Sequence, residues 1–317
     1  RRFKRAGGAG EKALFKVEGR PMIRRVLEAV EEVVDEVVVA VDSEERARRL
    51  RGVVDEELVV DEEGPRGPLN GIRTGLRRLS STACLVVPCD QPFLKPAVLD
   101  RLLRGVEEGW EAVVPLWPSG LHEPLMAAYL RRPALTLCDA LAAHGRSRPD
   151  DLARAGLDTL FLSVASELKP LDPELLSFVN VNRPGDVEAR PRLSGAQGLS
   201  VELRHGFETF EVAEAALRAA RGGGHWALSQ APSWFWRGLA WSMAASSGRL
   251  EAWAEAAGWF KREAELHASR GLKLLEARAL VDSARCLSHL DPEGSRRVME
   301  EAVAVYRSLG VEEKEVA

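Results

Sequence analysis

The stretch Cys84-Leu-Val-Val-Pro-Cys-Asp-Gln-Pro-Phe-Leu94 decides how this chain is read. Its apolar start has the composition of a strand buried on both faces, and its proline-flanked end carries a single carboxylate, Asp90. Open α/β sheets bind ligands just beyond the carboxyl ends of such strands, which puts Asp90 where a substrate would lie. Hard cations such as Mg²⁺ take oxygen ligands, typically one or two carboxylates with substrate phosphates and water. Asp90 is therefore the expected metal ligand.

On either side of this run, from residue 13 to about 187, short β-rich runs alternate with amphipathic helices. Met22, Ile23, Val26, Leu27, Val30, Val33 and Val34 keep one helical face apolar. Buried-strand signatures follow at Val37 to Val41, Leu58 to Val60, Cys84 to Val87, Ala112 to Leu116 and Leu160 to Ser163. The intervening helices read as Ser43 to Leu50 with Ser43 as N-cap, Leu69 to Leu79, Pro96 to Gly105 and Pro133 to His144. Alternation of this kind implies parallel pairing through right-handed crossovers, so the predicted class is α/β with a doubly wound, mostly parallel, Rossmann-like sheet.

Periodicity is lost between Pro191 and Ser200, where turn formers gather. The reading is a first domain over 1–190, a linker over 191–200 and an all-α region over 201–317, where Ala, Leu, Glu, Arg and Trp recur at helical spacing. Six of the eight tryptophans fall there: Trp226, Trp234, Trp236, Trp241, Trp253 and Trp259. They read as core rather than as a partner surface, although a protein partner could dock on this region. Helices closing in Ser269-Arg-Gly271 and Ser308-Leu-Gly310, the later one opened by Asp291-Pro292, suggest a tetratricopeptide-like repeat.

With 317 residues, a formal net charge of −4 and a sequence pI of about 6.0, the chain lacks the basic excess of a general nucleic-acid binder. No run approaches the roughly 18 apolar residues of a membrane span and no signal peptide is visible, so a cytoplasmic protein is expected. Cys84, Cys89, Cys138 and Cys286 show no Cys-x-x-Cys pairing and read as buried thiols. His225, His267 and His289 read as ordinary helix residues.

A small phosphorylated partner is implied instead. The amino terminus is basic and glycine-rich (Arg1, Arg2, Lys4, Arg5, Gly7, Gly8, Gly10, Lys12), yet Gly10-Glu-Lys-Ala13 lacks the Gly-Lys-Ser/Thr ending of a Walker loop. Backbone N–H groups in such a turn point at anions, and Lys12 would add a point charge against the β- and γ-phosphates, with Arg1 and Arg2 doing the same. Asp42 and Asp61 end two strands and should face the same crevice as Asp90. A second turn, Gly67-Pro68-Leu69-Asn70-Gly71, would let backbone approach a ligand closely.

These segments resemble the molybdenum cofactor guanylyltransferase family, over roughly the first 190 residues. The resemblance rests on Arg1-Arg-Phe with Glu11-Lys-Ala-Leu14, Gly19-Arg-Pro-Met22, Gly67-Pro-Leu-Asn-Gly71, Pro88-Cys-Asp-Gln-Pro-Phe-Leu94, His122-Glu-Pro-Leu125 and Asn180-Val-Asn-Arg-Pro-Gly-Asp186. It implies that Asp90 binds magnesium and that Lys12, Arg1 and Arg2 meet phosphate. It also implies that Asp42, Asp61, Gly67, Pro68, Leu69 and Gly71 lie on the guanine and ribose side, and that His122, Asn180 and Asn182 hold the pterin. The family's apolar first strand and Leu-Ala-Gly-Gly turn are expected upstream of Arg1. The implied activity is Mg²⁺-dependent transfer of GMP from GTP to a molybdopterin-type acceptor with release of pyrophosphate. Two rivals stand beside it: a cytidylyltransferase using CTP on the same cofactor, and a non-catalytic scaffold with a degenerate nucleotidyltransferase domain.

Overall fold

The computed structural model describes residues 11–188, 191, 193, 198–204, 234–246, 248 and 250–311. It opens on a hairpin of β1 (Lys16–Val17) and β2 (Arg20–Pro21), whose turn residues Glu18 and Gly19 take φ of 50° and 83°. Two left-handed residues in succession match the twist of a tight hairpin. Next come α1 (Met22–Glu31), β3 (Val38–Val41), α2 (Glu44–Leu50) and β4 (Glu57–Val60), with β3 and β4 paired in parallel. Ser43 caps α2 by accepting from the Arg46 amide.

The larger sheet has five strands in the order β5-β7-β6-β8-β9. Helix α3 (Pro68–Arg78) leads into β5 (Ala83–Val86), and α4 (Pro96–Glu107) into β6 (Ala112–Leu116). Strand β7 (Ala127–Leu130) turns back and pairs antiparallel with both β5 and β6, whereas β8 (Thr159–Ser163) runs parallel to β6. The α/β class predicted from the sequence is present, and the sheet is mixed. The sequence reading had no strand at β7 because its four residues, Ala-Ala-Tyr-Leu, run directly into the apolar helix α5 (Arg131–Ala143) and show no period of their own.

Side chains alternate across this sheet as strand geometry requires. Ala112, Val114, Ala127, Tyr129 and Phe161 enter the core on the α3 and α5 side, and Val113, Ala128, Leu160 and Leu162 the core on the α1 and α4 side. Between β3 and β5, whose edges are not hydrogen-bonded to each other, runs an apolar channel of about 340 Å³. Val39, Leu85, Ile72 and Val26 are among its walls.

Beyond this sheet the described helices are α7 (Trp234–Ser246), α8 (Ala252–Ser269), α9 (Lys273–Leu287) and α10 (Pro292–Ser308), each packed on the next in the chain. The closings singled out in the sequence share one geometry. Gly271 and Gly310 are left-handed (φ 71° and 73°), and the residue after each donates its N–H back to His267 and Tyr306 respectively. Asp291 caps α10, accepting from the Gly294 amide, with Pro292 in the first turn. Among the described residues no helix is long and apolar enough to cross a membrane.

Residues 201–203, which the sequence reading gave to the all-α region, form β9 (Val201–Leu203), the edge strand paired antiparallel with β8. Three residues, Val-Glu-Leu, fall below the length at which alternation can be seen, and only Val strongly favours a strand. The helices also pack on the sheet. Trp236 is fully buried and donates Nε1–H to the Ala155 carbonyl at the end of α6 (Asp151–Ala155), 2.8 Å away, in one core with Phe161, Leu152, Phe235 and Phe260. Trp241 and Trp253 pack partly buried against the same core, and Trp226 lies outside the described residues.

A buried charge network completes the contact. Arg154, with no exposed side-chain surface, donates to Glu263 (2.7 and 3.2 Å), Asp151 (3.0 Å) and Asp282 (3.0 Å). Arg146 makes a two-pronged pair with Asp151 (2.8 Å on each oxygen) and reaches Asp282 at 3.0 Å. Burial would push the Glu263 and Asp282 carboxyls up, but the Arg154 guanidinium holds both below the usual range.

Two outcomes follow from this packing. A chain ending at Arg190 loses β9 and the cover over Ala155 and Phe161, so it should melt well below the full chain, or be insoluble, in thermal unfolding followed by circular dichroism; equal melting temperatures would show that the helices are dispensable. Arg154→Ala leaves the buried Glu263 without an arginine and Asp151 and Asp282 hydrogen-bonded to Arg146 alone, and should cost about 3–5 kcal/mol in denaturant unfolding.

Candidate active site

Lys12 opens a single helical turn, Lys12–Leu14, that carries its side chain across to the end of β5. Its Nζ lies 2.5 Å from Asp90 Oδ2 and 2.9 Å from Asn182 Oδ1. Three residues from sequence positions 12, 90 and 182 thus meet at one point. The Asn180-Val-Asn segment is fixed there by backbone: the Val181 N–H donates to the Asp90 carbonyl at 2.8 Å. Asp186 then ties the segment down, accepting from the Asn182 and Arg183 amides at 2.9 and 2.7 Å. Asn180 is exposed and offers its own carbonyl to the Asn182 N–H.

A chain of ion pairs joins this point to the β3 end. Glu11, beside Lys12, pairs with Arg46 at 3.3 Å, and Arg46 donates to Asp42 at 3.1 Å. Asp42 is therefore engaged and exposed. Asp61 is different. Its Oδ1 is buried with no hydrogen-bond partner, and burial, then the nearby Asp42 carboxylate, push its pKa up against the pull of Arg73 and Arg46. A buried acceptor left open calls for a donor from outside the chain.

Gly71 approaches Asp61 closely: a Cβ there would stand 3.6 Å from Asp61 Oδ1. Gly67 caps α3 with φ 155°, and Pro68 takes the first helical position. A Cβ on Gly67 would meet the Ser147 carbonyl at 2.8 Å, so only glycine fits. The same carbonyl accepts from the Leu69 amide at 3.3 Å. Leu69 turns its side chain into the core, which leaves only its backbone for a ligand.

His122 is not brought to the Lys12 cluster by any described contact. It is buried, edge-on to Phe161 at 5.5 Å, with Nε2 at 3.0 Å from Asp150 Oδ1 but without hydrogen-bond alignment. Within the same His122-Glu-Pro-Leu125 motif the neighbour Glu123 is the residue to note, and the sequence reading passed over it. Burial raises its carboxyl against the pull of the Trp117 indole, which donates to it at 3.0 Å, and of His122, while the Asp150 and then the Asp90 charges add to the rise. Gln91 was also passed over: it is buried with Oε1 unpartnered. Nothing in the spacing separates Glu123 from His122, since which of two adjacent residues faces a site depends on the local β-bridge of His122 to Leu116.

Arg1 and Arg2 lie outside the described residues. Cys84, Cys138 and Cys286 are buried, whereas Cys89 is exposed, correcting the reading of four buried thiols; it sits past the end of β5 in the turn that presents Asp90. Among the described residues no three His, Cys, Asp or Glu side chains group as a metal cage.

The MobA-like NTP transferase domain family matches residues 1–158. A probable molybdenum cofactor guanylyltransferase of Methanosarcina mazei is 34% identical over 197 residues, 58% of this chain and 86% of that protein. The molybdenum cofactor guanylyltransferase of Desulfosudis oleivorans is 34% identical over 183 residues, again covering 86% of its length. A crystal structure of molybdopterin-guanine dinucleotide biosynthesis protein A from Archaeoglobus fulgidus is similar at 28% identity and a TM-score of 0.49, over 57% of this chain and 92% of that one. With a third of the positions shared across nearly the full length of these relatives, the chain belongs to the molybdenum cofactor guanylyltransferase family, as a nucleotidyltransferase of molybdenum cofactor biosynthesis.

Proposed function

We propose that the chain transfers GMP from GTP to a molybdopterin-type acceptor, with Mg²⁺ as the cation. The observation that carries this reading is the convergence of Lys12, Asp90 and Asn182 at the end of β5. An acceptor phosphate oxygen attacks the α-phosphorus, the bond to the bridging oxygen breaks, and pyrophosphate leaves with the electron pair. Such a transfer needs little covalent work from protein, only positioning and neutralisation of charge.

The donor set suits Mg²⁺, a hard cation that takes one or two carboxylates and completes its shell with phosphate and water rather than an all-protein cage. Asp90 offers a carboxylate and Asn182 an amide oxygen at the same point. The cation, when bound, supplies charge neutralisation. Lys12 then serves the β- and γ-phosphates, its ammonium already lying where positive charge is required. Asn182 fixes the Lys12 head group, and Asn180 stands exposed at the acceptor side. In this reading the open Asp61 Oδ1 accepts from an N–H donor on the guanine edge. Gly67, Pro68, Leu69 and Gly71 contribute a close backbone wall and the positive end of the α3 dipole.

Asp90→Asn keeps the shape and removes the charge that holds a cation. Turnover with GTP in Mg²⁺, which should exceed turnover with CTP, is expected to collapse while circular dichroism stays unchanged; near-normal turnover would sink the assignment. Lys12→Ala removes one charge-assisted contact, typically about 1.5–3 kcal/mol, and should weaken GTP binding roughly ten- to a hundredfold while sparing guanosine. Equal weakening of nucleotide and nucleoside in calorimetry would mean that Lys12 acts through structure.

A further inference from the structure

Where the loop before α6 meets α9, a polar cavity of about 140 Å³ opens between the sheet domain and the helices. That is roughly ten times the space of about 15 Å³ that one water requires. Five arginines line it, Arg146, Arg148, Arg154, Arg278 and Arg285, against two lining carboxylates, Asp151 and Asp282.

The arginines divide into two groups. Arg146 and Arg154 are saturated by Asp151, Asp282 and Glu263, as described above, and hold the floor. The others are poorly matched. Arg278 lies over the Tyr306 ring, 5.3 Å from its centroid, and its ion-pair partner is Asp150, at 3.6 Å from an Nε that is buried and makes no hydrogen bond. Arg285 reaches Asp282 only at 4.0 Å. Arg148 is half-buried; its carbonyl accepts from the Asp151 amide at 3.2 Å, but its guanidinium makes no hydrogen bond or ion pair with any described residue. The Tyr306 hydroxyl, buried and close enough to Arg148 to feel its charge, is likewise without a partner. A guanidinium fork that is half removed from water and unpaired is matched by a tetrahedral oxyanion, which takes two N–H donors at once.

We propose that this cavity is a binding site for a small phosphoryl oxyanion, inorganic phosphate or pyrophosphate, held by Arg148 and Arg278. Its volume excludes a whole nucleotide. Its place matters because Ser147 also lines it, and the Ser147 carbonyl is the group that packs on Gly67 and accepts from Leu69. The oxyanion therefore sits where the helices, the 145–151 loop and the Gly67 turn meet.

The site is tested apart from catalysis by titrating phosphate, and separately pyrophosphate, into the full chain carrying Lys12→Ala, in a calorimeter at constant ionic strength set with chloride. One saturable site for at least one of the two is expected, weakened tenfold or more by adding Arg148→Gln and also by adding Arg278→Gln, with thermal melting of Arg148→Gln unchanged. The proposal is overturned by the absence of saturable binding of either ion, by binding that chloride abolishes equally, or by binding that both glutamine variants leave intact, which would place the anion elsewhere.

Discussion

Arg154 is the hub on which the two halves of this molecule depend. A guanidinium with no exposed surface is costly to desolvate, and the fold tolerates it only because Asp151, Glu263 and Asp282 surround it from three different helices. Two of these carboxylates come from the carboxyl-terminal helices and one from α6, so neither half can satisfy the charges alone. His267 adds its ring at 3.3 Å from Glu263. The hydrophobic part of the contact, with Trp236 seated on Ala155, is undirected by comparison. The charges fix which helix face meets the sheet.

That fixed contact reaches the candidate active site through a short path. Arg146, pinned to Asp151 and Asp282, is followed by Ser147, whose carbonyl forms the floor under Gly67. Side chains and backbone so placed leave no room for adjustment at the Gly67 turn. The helices are thereby part of what positions the turn, even though none of them contributes a residue to the Lys12 cluster among the described contacts.

Much of this was legible in sequence where a local rule applied. Apolar runs of four or five residues marked β3, β5, β6 and β8; β6 and β8 are buried at every position, β3 and β5 only in part, and the carboxylate at the end of β5 stood out because the run before it is apolar. Asn182 was legible only through family resemblance, since its meeting with Lys12 joins parts of the chain too distant for any pattern to link. Strands β7 and β9 were hidden by brevity. The Arg154 network was hidden by type: on a helix, Arg and Glu at these spacings read as solvated surface, and only the tertiary contact reveals that they are buried. His122 was chosen over Glu123 on motif alone, and the structure turns the histidine toward Phe161.

The carboxylates of the site explain why a charged ligand belongs there. Burial raises Asp61 and Glu123, and each also feels like charge, Asp42 in one case and Asp150, then Asp90, in the other. Lys12 and Arg46 offset part of this repulsion, Lys12 at Asp90 and Arg46 at Asp42. Asp61 receives no donor at all on Oδ1. That oxygen is an acceptor for a ligand that brings N–H or O–H groups to it, and the Asp90 carboxylate with the Asn182 amide oxygen offers the hard donors a bound cation would take. The nucleoside triphosphate and divalent cation proposed above would answer both with one molecule, its base or ribose at one end and its phosphates at the other.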